Sequence, residues 1–280
     1  MYDIRIDKER CARCGKCSVE CPSFVLNQQV RGGDVEVVDA SRCIACGHCV
    51  DVCGNGAMVH EAFPPERVHK INVDCLPSPG SLLELMRSRR SNRSITDEEL
   101  AQHDIEMIMD AARCAPTAEN SRNVTVRLLS DPKVLQTVEN AVMDYFARLV
   151  RLLMLPPVKF VLKPFLNTLY GQAEELMRMD EKRKAGARPA TINAKAILLI
   201  TAPKDSRFGY QDCNLAYQNA SLMAQSLGIS QVYLGFVQTA FGMWGTKKTS
   251  RLLGIESDQK VFALMALGKP SVRYVNYTLP

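Results

Sequence analysis

The chain has 280 residues, 46% of them hydrophobic and 23% charged. That suits a soluble globular protein of one large domain, or of a small domain joined to a medium one. Its net charge of +5 and its broken apolar runs give no reason to expect a nucleic-acid partner or membrane contact. Eleven cysteines without an apolar segment behind Met1 argue against a secreted disulfide framework and for metal ligands in a reducing cytoplasm.

Taken in chain order, the charge divides first. Residues 1–80 carry 9 basic and 11 acidic residues, against 26 and 19 in the remainder. Within the first segment, eight of its nine cysteines lie between Cys11 and Cys53, in two runs. One is Cys11-x2-Cys14-x2-Cys17-x3-Cys21-Pro22; the other is Cys43-x2-Cys46-x2-Cys49-x3-Cys53. The runs are an internal duplication about 32 residues apart. Zinc prefers separated pairs of cysteines, whereas three thiolates at successive three-residue spacings wrap one corner of an iron–sulfur cubane. The fourth cysteine of each run is too close to complete the same cubane without strain, and in two-cluster ferredoxins it ligates the other cluster. The expected sets are therefore Cys11, Cys14, Cys17 and Cys53 on one [4Fe–4S] cluster, and Cys43, Cys46, Cys49 and Cys21 on the other.

Nearly all of residues 1–73 resembles bacterial two-cluster ferredoxins. Gly56-Ala57-Met58 is similar to the Gly-Ala-Ile that ends their second motif, while Gly54 stands where a proline is usual. The resemblance implies a compact βαββαβ fold around two buried clusters, working in low-potential one-electron transfer. Two prolines and a glycine in Pro77-Ser78-Pro79-Gly80 mark a linker. The expected layout is a ferredoxin domain at 1–75, a linker at 76–80 and a second domain at 81–280.

That second domain alternates helices and strands. Ser81 and Glu84 read as a capping box opening a helix, and Thr96 and Glu99 as another. In the helix after Thr96, Ala101, Ile105, Ile108, Ala112 and Ala115 share one face, and Pro116 ends it. Strands are expected at Val124–Leu129, Ala196–Thr201, Gln231–Gly235 and Val261–Leu267, with a helix at Asp212–Leu227 stopped by Gly228. Residues 135–187 form a helical, apolar insert broken by Pro156, Pro157 and Pro164. Arg148, Arg151, Lys159 and Lys163 interrupt it too often for a membrane span. It reads as a subunit interface or a cover over the active site.

Arg89-Arg90-Ser91-Asn92-Arg93 follows the first helix of this domain. Guanidinium forks with a hydroxyl between them suit a phosphate. The stretch is similar to the Arg-x-Ser-x-Arg/Lys motif of the nitroreductase family of FMN-dependent oxidoreductases. Ala115-Pro116-Thr117-Ala118-Glu119-Asn120 resembles that family's Ala-Pro-Ser-Ala-x-Asn, although the usual Gln-Pro-Trp after it is missing. Leu234-Gly235-Phe236 resembles its flavin-facing loop, and Gly268-Lys269-Pro270 with Arg273 its C-terminal motif. The overall expectation is an α+β chain: a ferredoxin-like βαββαβ domain followed by a nitroreductase-like α/β sandwich.

The resemblance implies that Arg89, Ser91 and Arg93 hold the FMN phosphate and ribityl chain, with Arg90 beside the ring edge. It gives Asn120 a hydrogen bond to the flavin, Leu234 and Gly235 backbone contacts near its reactive face, and Lys269 and Arg273 the rest of the phosphate site. It also implies a homodimer and no dedicated catalytic acid, since the flavin carries the chemistry. Two functions stand open. One is an enzyme in which the clusters feed FMN for two-electron reduction of a nitroaromatic, quinone, activated alkene or flavin, with NAD(P)H or a separate ferredoxin as donor. The other is an electron carrier or adaptor within a larger complex. Among residues outside these motifs, Cys75, Cys114 and Cys213 read as small buried residues and His48 as a surface histidine in a cluster loop. Tyr233, Phe241 and Trp244 read as core or pocket lining. Gly242–Thr249 has only a loose likeness to a phosphate loop.

Overall fold

A computed structural model describes residues 1–244 and 246–279; Gly245, in the phosphate-loop-like stretch, lies outside the described residues. The chain divides into two compact units. One is Met1–Leu76 with Ala118–Ser121; the other is Pro77–Thr117 with Arg122–Pro280.

The first unit runs β1 (Ile4–Ile6), α1 (Lys16–Val19), β2 (Leu26–Asn27), β3 (Glu36–Val37), α2 (His48–Asp51), β4 (Met58–His60). This is the βαββαβ order. β1 pairs antiparallel with β4, and β2 with β3. The duplication in the sequence is repeated in the backbone. Left-handed residues occur at Arg13, Gly15 and Phe24, and 32 positions later at Ala45, Gly47 and Gly56. A side chain in that conformation is costly and persists where the surroundings fix it. Alternation of left- and right-handed residues turns successive N–H groups inward, the geometry of many anion and iron–sulfur sites. The core of this unit is small: Ile4, Val25, Leu26, Val35, Val50 and Met58, with five of the cysteines packed partly buried against it.

The second unit is built on a four-stranded sheet of β5 (Thr125–Leu129), β6 (Ala196–Pro203), β7 (Ser230–Tyr233) and β8 (Gln259–Gly268), in the order β5-β6-β8-β7. All its pairings are antiparallel. Helices cover both faces, which is why the strands read as continuous apolar runs. Alternation along β6 sends Ile197 and Leu199 to one face and Leu198 and Ile200 to the other. The first face packs on α5 (Pro132–Leu153) and α9 (Gly235–Trp244) through Val142, Phe146, Val237 and Phe241. The second packs on α4 (Gln102–Arg113) and α8 (Gly209–Ser226), where Ala216, Ala220 and Ala224 allow close approach. Gly228, with φ of 69°, follows α8.

The register slips where Ile200 faces Ala263 but Thr201 faces Val261, leaving Phe262 as an extra residue. The Phe262 carbonyl accepts instead from Tyr233 Oη at 3.0 Å and from Gln238 Nε2. Gly268 has no room for a side chain, since a Cβ there would lie 2.3 Å from Ile95 Cγ2.

Several boundaries differ from the sequence expectation. The first helix, α3 (Pro79–Ser88), is capped by Ser78, whose Oγ accepts from Ser81 N at 3.1 Å. Pro79 opens it because a proline lacks only an N–H that the first turn leaves unbonded. The Thr96 hydroxyl closes a short turn with Glu98 N, and α4 begins six residues after it, at Gln102. The insert forms the long α5, then α6 (Pro156–Leu162), then α7 (Asn167–Lys184). α10 (Thr246–Leu253) follows α9. No helix among the described residues is long and apolar enough to cross a membrane.

Glu139 on α5 is fully buried. Its carboxylate accepts from Ala190 N at 3.0 Å, Thr191 N at 2.8 Å and Thr191 Oγ1 at 2.9 Å, fixing the loop that enters β6. Glu139→Ala would leave three buried donors unpaired. A loss of about 3 kcal/mol in urea unfolding is expected; an unchanged midpoint would remove this carboxylate from the account of the fold.

Candidate functional site

The eight cysteines of the two runs line two cavities in the first unit. One is bordered by Cys11, Cys14, Cys17 and Cys53. The other is bordered by Cys21, Cys43, Cys46 and Cys49, together with Ile44 and His60. Each loop thus gives its first three thiols to one cavity and its fourth to the other. Electrostatics follow the same grouping. Burial raises the Cys17 thiol, with Cys53 and Cys11 adding to it. Burial, then Cys46, Cys43 and Cys21, and last Cys17 of the other set, push the Cys49 thiol up to about 12. Thiolate ligands gathered around one cavity need positive charge among them, and coordinated iron supplies that charge. The donor set therefore fits an iron–sulfur cluster in each cavity.

Donors to sulfur complete these sites. Val25 N donates to Cys21 Sγ at 3.3 Å, Ala57 N to Cys53 Sγ at 3.2 Å and Ala45 N to Cys43 Sγ at 3.4 Å. His60 Nε2 lies 3.3 Å from Cys43 Sγ. His60 ends β4, where Met58 and His60 point inward and Val59 outward. Its buried ring contacts Tyr2 and Phe63, at centroid distances of 5.4 and 5.0 Å. Burial lowers its pKa from the ordinary histidine value. His48, the histidine inside the cluster loop, is exposed. His60 was missed by motif reading; the alternation after Gly56-Ala57 is the signal that finds it.

In the second unit, the arginine stretch after α3 is tied to the sheet. Ser91 forms a parallel bridge with Gln231 of β7. Gln231 is buried; it accepts from Tyr217 Oη at 2.9 Å and donates to Arg90 O at 3.2 Å. Leu234 follows β7 and donates its N–H to Leu264 O at 3.0 Å, and Gly235 opens α9. Burial raises the Tyr217 hydroxyl, and the Arg89 guanidinium offsets part of that rise. Arg89 is half-buried and has no ion pair among the described residues; Arg273 is exposed and likewise has none. Arg90, Asn92, Ser230 and Arg273 line one cavity, and the buried Ser230 Oγ is without a hydrogen-bond partner. In that cavity the unpaired Arg273 guanidinium and the orphaned hydroxyl fit a phosphate ester, while Arg89 is not among its lining residues.

Other residues of the sequence set stand apart from that cavity. Lys269 Nζ is paired with Glu98 at 3.0 Å. Arg93 is exposed and donates to Ser91 O at 3.3 Å. Asn120 lies in the segment Ala118–Ser121, which packs with the first unit, and donates to Ile44 O at 2.9 Å and Ala45 O at 2.7 Å. Phe241 is core with Trp244 packed partly buried against that cluster, Tyr233 packs partly buried against the core on the other sheet face, and Cys213 is buried. Cys75 and Cys114 are exposed, contrary to expectation: one lies in the segment before α3 and the other caps the end of α4.

Known proteins agree with this geometry. Residues 3–54 match the model of a 4Fe-4S dicluster domain, and residues 86–269 that of the nitroreductase family. Among solved structures, a nitroreductase with bound FMN from Bacteroides fragilis is 17% identical, with a TM-score of 0.54 over 71% of this chain and 94% of that one. A nitroreductase with bound FMN from Desulfitobacterium hafniense is 19% identical, with a TM-score of 0.54 over 71% of this chain and 93% of that one. No curated protein matches the sequence. Such low identities speak for the fold alone, but the family match spans well over half of the chain. With its antiparallel sheet and arginine stretch inside that match and a 4Fe–4S dicluster domain ahead of it, this oxidoreductase belongs to the nitroreductase family.

Proposed function

We propose that the chain is an FMN-dependent oxidoreductase in which two [4Fe–4S] clusters relay electrons to FMN for two-electron reduction of a small organic acceptor. What supports this reading above all is one chain joining eight cysteines around two cavities to a nitroreductase fold with a phosphate-fitting site. When bound, the clusters carry electrons singly and the flavin pairs them. Cys11, Cys14, Cys17 and Cys53 would hold one cluster; Cys21, Cys43, Cys46 and Cys49 would hold the other. Arg89, Arg90, Ser91 and Arg273, with Ser230, would hold the FMN phosphate and ribityl chain, and Leu234 and Gly235 would offer backbone contacts to the ring. Arg93, Asn120 and Lys269 would reach it only by leaving the partners they have here.

The acceptor class is a nitroaromatic, quinone, activated alkene or flavin. The donor is NAD(P)H or a separate ferredoxin, the location a reducing cytoplasm and the working form a homodimer. Exposed apolar side chains in the insert, among them Phe160 and Phe165, favour burial against another chain. The test is anaerobic purification with iron, sulfide and flavin quantitation, then stepwise reduction. About eight irons and one FMN per chain, reduced in linked steps, are expected. Eight irons without flavin would sink the flavin reading and leave a ferredoxin domain fused to a domain of other purpose.

A further inference from the structure

The duplication offers an internal control on how each cluster is tuned. In the 32-residue frame, Val25 N to Cys21 Sγ corresponds to Ala57 N to Cys53 Sγ, so each cavity receives this bond once. His60 corresponds to Gln28, and Cys43 to Cys11. Here the two halves differ. Gln28 Nε2 donates to two carbonyls, Arg13 O at 2.9 Å and Gly33 O at 2.8 Å. His60 Nδ1 accepts from Ala62 N at 3.1 Å, which leaves the ring proton on Nε2, 3.3 Å from Cys43 Sγ. Cys43 Sγ also accepts from Ala45 N. Among the described residues the cavity of Cys21, Cys43, Cys46 and Cys49 thus receives a side-chain N–H at sulfur beside its backbone donors, whereas the bonds to sulfur in the other cavity, at Cys53 and Cys17, come from the backbone.

We propose that His60 is a positioning residue whose Nε2–H bond to Cys43 Sγ raises the reduction potential of the cluster in that cavity. The inference rests on the cluster reading above. Reduction adds one electron to a cluster and its thiolates, with no bond made or broken. A donor aimed at a ligand sulfur stabilises the more negative state more than the less negative one. The cluster beside His60 therefore takes up an electron more readily than it would without the ring. Burial of the ring between Tyr2 and Phe63 keeps water from replacing the donor.

An anaerobic dithionite titration followed by electron paramagnetic resonance, with iron and sulfide counts, tests this in the full chain. His60→Leu keeps the bulk and removes the donor. One midpoint should fall, with reduction about tenfold less favourable, which is about 59 mV for one electron, while the other stays. His60→Gln restores an N–H near the same place and should return most of the shift, which a purely packing role would not. Unmoved midpoints in a His60→Leu protein holding about eight irons would overturn the inference. Should His60→Leu fail to hold iron, the wild-type chain with isotopically labelled histidine decides. A weak nitrogen hyperfine coupling to one reduced cluster supports the bond; no coupling to either overturns it. A wild-type chain that takes up no iron and sulfide overturns the cluster reading itself, a different and separately visible failure.

Discussion

Cys14→Ala combined with Cys53→Ala should cost one cluster, whereas Cys14→Ala combined with Cys21→Ala should cost both. The reason is which thiols share a cavity. Cys14 and Cys53 border one, while Cys21 borders the other with Cys43, Cys46 and Cys49. A second substitution in a set that has already lost its cluster removes nothing more. Iron after anaerobic reconstitution should be about four per chain in the first double variant and near zero in the second. Ligation of each cluster by one consecutive run predicts the reverse ranking, so the two arrangements cannot be confused. The first unit has a small apolar core, and metal ligation in such a unit is folding free energy as well. Loss of iron should therefore be accompanied by faster proteolysis within residues 1–76, with the sheet unit left intact.

The cysteine loops are legible in the sequence because their information is local: spacing, repeat and turn-forming glycines lie within a few residues of one another. The strands and helices of the sheet unit are legible for the same reason, since apolar periodicity is a property of short windows. What is lost needs distant partners. Lys269, expected at the phosphate, has Glu98 beside it here, a partner no local motif announces. Asn120, expected at the flavin, donates here to two carbonyls of the second cysteine loop. The start of α3 is misread because Ser78-Pro79 is a better cap than a capping box at Ser81, and a proline that signals linker also opens helices. His48 attracts notice by its place inside a motif, whereas His60 acts through a strand that brings it back to Cys43, 17 residues away. The antiparallel order of the sheet is also hidden, because β6 and β8 are neighbours although α8 and β7 lie between them in the chain.

Removing Arg89 or Arg273 should release FMN while leaving the iron count unchanged. Both guanidinium groups lack an ion pair among the described residues, and Arg273 lines the cavity where Ser230 Oγ has no partner. A phosphate ester answers Arg273 and Ser230 Oγ in that cavity, and the likeness to the family's arginine motif adds Arg89. Each charge-assisted bond is worth about 1.5–3 kcal/mol, so each alanine substitution should weaken FMN binding roughly 10- to 150-fold. Arg89→Lys keeps the charge but not the planar fork and should fall between wild type and alanine. Ser230→Ala removes a neutral donor and should cost about fivefold. The measurement is FMN fluorescence on titration into apoprotein, with iron content read in the same samples. Arg93→Ala serves as the comparison, since that side chain is exposed and among the described residues bonds to Ser91 O of its own stretch; a small effect is expected. If Arg93→Ala releases FMN while Arg89→Ala and Arg273→Ala do not, the phosphate lies on the outer side of the arginine stretch, and the cavity beside Ser230 binds something else.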